Sequence, residues 1–208
     1  TKVLVVWTED HLAGLDPGTG KLHRKIPWKL KMGMGIATPV WYEDHLFVSA
    51  FYDGSLLVKL SNNNLSAEVV WKRAGESERK TDALHCVMNT PVILDRLIYG
   101  VDSYGELRCL DFDTGDRIWE SLTAVKKDRW ANIHFIQNGP RTWMFNEHGE
   151  LIIARLSREG YHEISRTKII DTTTQQLPRG VTWSHPAFAN HHVFVRNDRE
   201  IRSISLKK

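Results

Sequence analysis

Leu107-Arg-Cys-Leu-Asp-Phe-Asp-Thr-Gly-Asp-Arg-Ile-Trp119-Glu120 is the stretch on which the fold turns. It reads as two short strands joined by a tight turn. The carboxylates of Asp111 and Asp113 can fold back onto backbone N–H groups, and Gly115 supplies the positive φ that a bulged hairpin needs. Trp119 then stands on the returning strand as a large apolar plate. A degenerate copy runs from Leu12 to Arg24, keeping Leu15-Asp16, Thr19 and Gly20 and placing Arg24 where the Trp would be. The chain therefore reads as a repeat.

Working outward, Leu15, Leu60, Leu110, Leu156 and Ile204 recur at intervals of 45, 50, 46 and 48 residues, the spacing of a repeat array. A hairpin turn precedes each one: Glu9-Asp10-His11, Asp53-Gly54-Ser55, Tyr104-Gly105-Glu106, His148-Gly149-Glu150 and Asn197-Asp198-Arg199. Each unit opens with a further landmark, Thr38-Pro39-Val40, Thr90-Pro91-Val92 or His185-Pro186-Ala187, with Ile133 to Ile136 standing in the fourth without proline. Proline is at home at the first residue of a strand, where it removes no ladder bond. A complete unit predicts four strands, best seen as Thr38 to Trp41, Leu46 to Tyr52, Leu56 to Ser61 and Glu68 to Lys72.

Four antiparallel strands in about 45 residues suit a propeller blade. No window sustains apolar residues at helical spacing, so the fold class is all-β, a β-propeller of four-stranded antiparallel blades. The blades are expected at 1–30 (partial), 36–73, 88–121, 131–170 and 184–208 (partial), a single domain of three complete and two partial blades. The first lacks its opening strand and the last its closing one, and together they do not make a four-strand blade. The expectation is the C-terminal part of a longer propeller, with open blade edges through which copies can associate.

The bulk numbers exclude several classes. The 208 residues are 41% hydrophobic and 25% charged, without an apolar run long enough for a transmembrane segment. Residues 1–7 form a strand-like run that lacks the pattern of a signal peptide. The 28 basic residues exceed the 25 acidic ones by only three and are scattered, which argues against nucleic acid. Cys86 and Cys109 show neither zinc-site nor redox-motif spacing and read as two buried thiols.

The pattern Leu-Asp-x-x-Thr-Gly-x-x-x-Trp is clear at Leu110 to Trp119 and partial at Leu15 to Arg24. It is vestigial at Leu60 to Trp71, where Asn62-Asn-Asn replaces its centre. It resembles the pyrroloquinoline-quinone (PQQ) propeller repeat of quinoprotein alcohol dehydrogenases and of the outer-membrane assembly propeller lipoprotein. The proline openings are similar to those of bacterial polyvinyl-alcohol dehydrogenase-like proteins. The resemblance implies a ring of about eight blades, with Asp16, Gly20, Asp111, Gly115 and Trp119 as structural motif residues, the Trp packing between blades. It also implies export to the periplasm or cell surface. Quinoprotein enzymes carry a vicinal disulfide over the cofactor and a calcium ion beside a catalytic Asp. No Cys-Cys pair occurs here, and that constellation falls on no position of this chain.

Eight tryptophans call for placement. Trp7, Trp41, Trp71, Trp119 and Trp143 are expected to pack blade on blade. Trp130 and Trp183 differ. Each stands three positions before an opening strand, in loops bordering the channel mouth, where Ile36 and Met88 fill the matching places. Such a wall suits a flat or apolar ligand, or simply caps the channel. His85, Asn89, Arg129, Asn132, His134, Arg179 and His185 cluster around the same openings. They can hold an anionic or hydroxyl-rich ligand, or a metal through neutral imidazole, and each taken alone also serves as a hydrogen-bonded structural residue. His191-His192 reads as a solvated turn and Gly18-Thr-Gly20 and Gly33-Met-Gly35 as turns, so no metal site is assigned. No nucleophile motif and no catalytic residue is found.

The reading that results is a non-catalytic PQQ-like propeller acting as a binding or scaffolding domain of an exported protein. A protein partner, or a small-molecule or polymer ligand, would sit at the channel mouth, with no cofactor detectable. Two alternatives stand beside it: a fragment of a PQQ- and calcium-dependent alcohol dehydrogenase, and a sugar- or polymer-binding module stacking its ligand on Trp130 and Trp183.

Overall fold

The computed structural model describes residues 2–207 apart from positions 62, 64 and 177. Asn62 and Asn64 of the vestigial turn thus lie outside the described residues. The first sheet holds β1 (Leu4–Trp7), β2 (His11–Leu15) and β3 (Leu22–Pro27). The second holds β4 (Val40–Tyr42), β5 (His45–Ala50), β6 (Gly54–Leu60) and β7 (Ala67–Arg73). The third holds β8 (Val92–Leu94), β9 (Leu97–Val101), β10 (Leu107–Asp111) and β11 (Arg117–Ser121), and the fourth β12 (Ile133–Asn138), β13 (Arg141–Asn146), β14 (Glu150–Ser157) and β15 (Gly160–Lys168). After a two-stranded ribbon, β16 (Thr174–Gln176) and β17 (Arg179–Val181), comes the fifth blade sheet of β18 (Ala187–Ala189), β19 (His192–Arg196) and β20 (Ile201–Ser205). Every pairing is antiparallel and sequential. Among the described residues the only helical turn is a 3₁₀ segment at Lys31–Gly33. The all-β propeller expected from the repeat is what forms: three four-stranded blades between two three-stranded sheets.

Side chains alternate across each strand, and the two faces pack against different neighbours. Leu46 and Val48 of β5 meet Leu12 and Trp28 of the first unit, whereas Phe47 between them meets Ile98 and Leu110 of the third. The same division places Val101 and Leu107 against Met144 and Ile152, and Phe145 against Val193 and Val195. In the second and third blades the second and third strands, buried on both faces, therefore read as continuous apolar runs.

The structure corrects the repeat alignment. Every complete third-to-fourth strand pair is broken by a bulge, between Gly14 and Leu15, Leu57 and Val58, Cys109 and Leu110, and Ile153 and Ala154. Val58 and Ala154 are thus the true counterparts of Leu110, two residues ahead of Leu60 and Leu156. A two-residue slip keeps every side chain on its face, so hydrophobic alternation cannot detect it. The bulges also make Arg24, Trp71, Trp119 and Ser165 equivalent, since they pair with Gly14, Leu57, Cys109 and Ile153.

At that position two seams are closed by tryptophan. Trp71 donates its indole N–H to Phe112 O and Trp119 to Ser157 O, both at 2.9 Å in the next sheet. Gly115, at φ +74°, lies so close beneath Trp71 that a Cβ would meet the ring at 3.1 Å, which adds a steric demand to the turn's conformational one. Trp7 stacks on Trp28 at 5.6 Å and Trp143 meets Phe188 edge-on at 5.4 Å. Trp41 departs from the packing expectation: it is 52% exposed beside Arg24 and Pro17.

The motif turns form as expected at Asp16 and Asp111. Asp16 Oδ1 accepts the N–H groups of Gly18 and Thr19, and Asp111 Oδ1 those of Asp113 and Thr114. Gly20 and Gly115 carry the positive φ. Asp113 does otherwise, pairing with Arg96 instead of capping its own turn. The 170–181 connection contains the β16–β17 ribbon. Pro39, Pro91 and Pro186 immediately precede β4, β8 and β18, and both cysteines are buried free thiols.

Candidate functional site

In an antiparallel blade the turns joining second to third strands and the connections between blades share one side, the mouth. Three of these connections meet in the fourth blade. Glu147, in the turn after β13, is fully buried. Its Oε1 accepts Arg179 Nε–H at 2.8 Å, and its Oε2 accepts the Trp183 indole N–H at 2.9 Å. Arg179 also pairs with Asp128 at 3.0 Å and donates to Arg129 O at 2.8 Å. Arg179 thus latches the ribbon both to the β13–β14 turn, through Glu147, and to the preceding inter-blade loop, through Asp128 and Arg129 O.

Arg129 continues the rim towards the second blade. Its guanidinium lies 4.5 Å from the Trp130 ring centre and 5.5 Å from that of Phe51, and pairs with Glu78 at 2.9 Å. Trp130 adopts φ +66°, a conformation that costs a non-glycine residue about 1–3 kcal/mol. Its backbone N–H donates to Ser103 O at 2.9 Å, and its ring meets Phe51 at 6.4 Å. Lys31 sits over the Tyr52 ring at 4.8 Å.

His134, Asn132 and His185 form a third group. The His134 and His185 rings lie 3.7 Å apart, His134 buried and His185 exposed. His134 Nε2–H donates to Trp183 O at 3.0 Å, which places the neutral proton on Nε2. Asn132 Nδ2 stands 3.1 Å from the same nitrogen, and the Asn132 amide oxygen is buried without a partner among the described residues. Burial, reinforced by the charge on His185, pushes the His134 pKa down to about 4.

His85 and Asn89 lie apart from this rim, inside the contact between second and third blades. His85 Nδ1–H donates to Phe51 O at 2.9 Å, and Nε2 accepts Gly75 N–H at 3.1 Å. Burial lowers its pKa, and the imidazole serves as a neutral strut. Asn89 donates to Val101 O at 3.2 Å.

Sequence reasoning passed over Glu147, Glu78 and Tyr52, and a buried ion pair beneath the same face. Asp102 and Arg108 meet at 3.0 Å, both almost wholly buried, with Thr81 bonded to each. Asp102 Oδ1 also accepts the His85 N–H at 2.6 Å. Burial raises the Asp102 pKa against the opposing pull of Arg108. An acidic residue in a hairpin turn reads as solvated; nothing local to the sequence signals that Glu147 or Asp102 is enclosed.

Arg179 and Trp183 are engaged within the rim, an arrangement suited to holding a surface rigid, while Arg129 Nε and the Trp130 indole N–H are buried without an acceptor among the described residues. The rim does not fit the PQQ and calcium of quinoprotein enzymes. The Trp130 face is covered by Arg129, and the one carboxylate–imidazole cluster among the described residues, Glu43, Asp44 and His45, lies on the opposite side. There Glu43 is paired with Arg96 at 3.0 Å, and Asp44 with His45 at 2.7 Å.

The family described as outer membrane protein assembly factor BamB matches residues 1–121. The chain belongs to that family. No curated protein matches it. BamB from Moraxella catarrhalis is similar over 98% of this chain and 55% of its own, with 14% identity and a TM-score of 0.65. The propeller domain of Cps50 (Swd1) from Myceliophteria thermophila is similar over 97% and 66%, at 11% identity and a TM-score of 0.59. The computationally designed Ika8 protein is similar over 99% and 59%, at 8% identity and a TM-score of 0.56. These likenesses establish the propeller fold, and this BamB-family chain spans 55–66% of the structures it resembles.

Proposed function

We propose that this BamB-family propeller is a non-catalytic binding or scaffolding domain of a cell-envelope protein, and that a protein partner docks on its mouth. The observation that carries the reading is the Glu147–Arg179–Trp183 latch joined through Arg129 to Trp130 and Phe51. Arginine, tryptophan and tyrosine dominate binding hot spots when held rigid, because little side-chain entropy is then lost on association. The rim supplies that combination at Tyr52, Arg129, Trp130 and Trp183. Family membership supports a periplasmic or envelope location, and among the described residues no helix is long and apolar enough to cross a membrane. A ring of about eight blades completed by further chain is part of the same proposal.

The test is site-specific photo-crosslinking in the full-length protein, from Tyr52 on the mouth and from Lys59 near the opposite face. A discrete protein adduct from Tyr52, absent from Lys59, is the expected result. Equal labelling at both positions, or none at Tyr52, overturns the reading. The dehydrogenase alternative is tested by titrating PQQ with calcium and following tryptophan fluorescence. No saturable quenching is expected; calcium-dependent quenching would replace scaffold with enzyme.

A further inference from the structure

The seams between blades are not closed alike. In the second-to-third seam the outer-strand Trp71 packs on Phe47 at 5.9 Å, and in the third-to-fourth Trp119 packs on Tyr99 at 5.9 Å. Each indole N–H is taken by a carbonyl ending the next blade's third strand. The equivalent residue of the fourth blade is Ser165, exposed and too small to cross. Trp143 occupies the position of Phe47 and Tyr99, because it pairs with Ile153 as they pair with Leu57 and Cys109. Leu206 stands where Phe112 does, its N–H bonded to His191 O as that of Phe112 is to Arg96 O.

Between these two residues lies a cleft of about 460 Å³, lined by Trp143, Phe188, Leu206 and Ile136, with Asn190 and His191 at its edge. That volume falls within the range of about 300–1,000 Å³ typical of ligand sites. The Trp143 Nε1–H is buried and meets no acceptor among the described residues. A cleft of 590 Å³ also borders the third-to-fourth seam. There, however, Tyr99 is already covered by Trp119, and the Ser157 carbonyl already accepts its N–H.

We propose that the cleft between the fourth and fifth blades is a docking site for an aromatic side chain of indole size, presented by a segment of a protein partner. The incoming ring would pack on Trp143 and Leu206 as Trp71 and Trp119 pack in their seams. An acceptor on the segment would take the Trp143 N–H. The site lies on the side of the first-to-second strand turns, opposite the mouth, so it stands or falls independently of the mouth reading.

The probe is N-acetyl-tryptophanamide, titrated into the full-length protein while the Trp143 Nε1–H resonance is followed by NMR. A saturable shift of that resonance is expected, with those of Trp71 and Trp119 unmoved. Ser165→Trp should fill the seam from within, abolish the shift and raise Tm. Trp143→Phe, which keeps a ring but removes the donor, should weaken binding severalfold, as read from the probe's own resonances, and this decides the matter if Ser165→Trp fails to fold. No saturable shift, or binding unchanged in both variants, overturns the proposal.

Discussion

Trp71 reaches across a blade boundary to bond Phe112 O at 2.9 Å, while Gly115 of the same neighbouring blade leaves room for its ring. The seam is therefore specified from both sides. Trp71→Phe is expected to cost about 1–2 kcal/mol, mainly the lost hydrogen bond, and Trp71→Ala about 3–5 kcal/mol through the cavity it leaves. Gly115→Ala should destabilise by at least about 1 kcal/mol, since both φ and the indole oppose a methyl group. Urea unfolding checks all three, and a Gly115→Ala protein as stable as its parent would remove the steric part of the argument.

Asp102 and Arg108 form a buried pair whose members depend on each other. Removing Arg108 leaves the Asp102 carboxylate enclosed without a cation, so Arg108→Met should cost about 3–5 kcal/mol, and Asp102→Ala less, because Arg108 keeps Glu120 at 3.2 Å. The double variant should cost well under their sum, with a coupling of about 1–3 kcal/mol in a double-mutant cycle. Additivity would show that Thr81 and His85, not the pair itself, hold this corner together.

These two sites mark the limits of what the sequence reveals. Blade order, strand order and the Asp16 and Asp111 turns were legible because each depends on local chemistry: a carboxylate over its own turn, a glycine at positive φ, a period of two. The Trp71 seam was legible in outline because Trp119 repeats it. The residue-level alignment was not, since a bulge displaces pairing without changing the face a side chain occupies. Glu147 and Asp102 were not legible because their burial is created by chain outside their own turns, as the spacing of Glu147 from Arg179 and of Asp102 from Thr81 illustrates. His85 and His134 looked alike in sequence, yet one is a fully bonded strut and the other has a ring nitrogen without a partner.

Cys86 and Cys109 offer a probe of global opening. Burial pushes Cys86 up to about 12 and Cys109 up to about 11, so the reactive thiolate is scarce at neutral pH. Labelling by a thiol-specific disulfide reagent at pH 8 is expected to be negligible in the folded protein and to follow the unfolding rate as urea is added. Rapid modification of either thiol without denaturant would mean that its blade opens locally.

His134 makes stability depend on pH in a definite direction. Its pKa falls from about 6.5 in the unfolded chain to about 4 in the fold, where burial and the charge of His185 both disfavour the imidazolium. The unfolded chain therefore binds more protons between these values, and stability rises with pH across that window. It is fully present above pH 6.5 and is lost as pH falls towards 4, by up to about 3 kcal/mol. His134→Gln should remove this share of the slope, leaving the carboxylates to dominate below pH 4. Urea midpoints from pH 4 to 7 for the parent and His134→Gln measure the difference. Parallel curves would show that the imidazole accepts a proton without disturbing Asn132 or the Trp183 carbonyl.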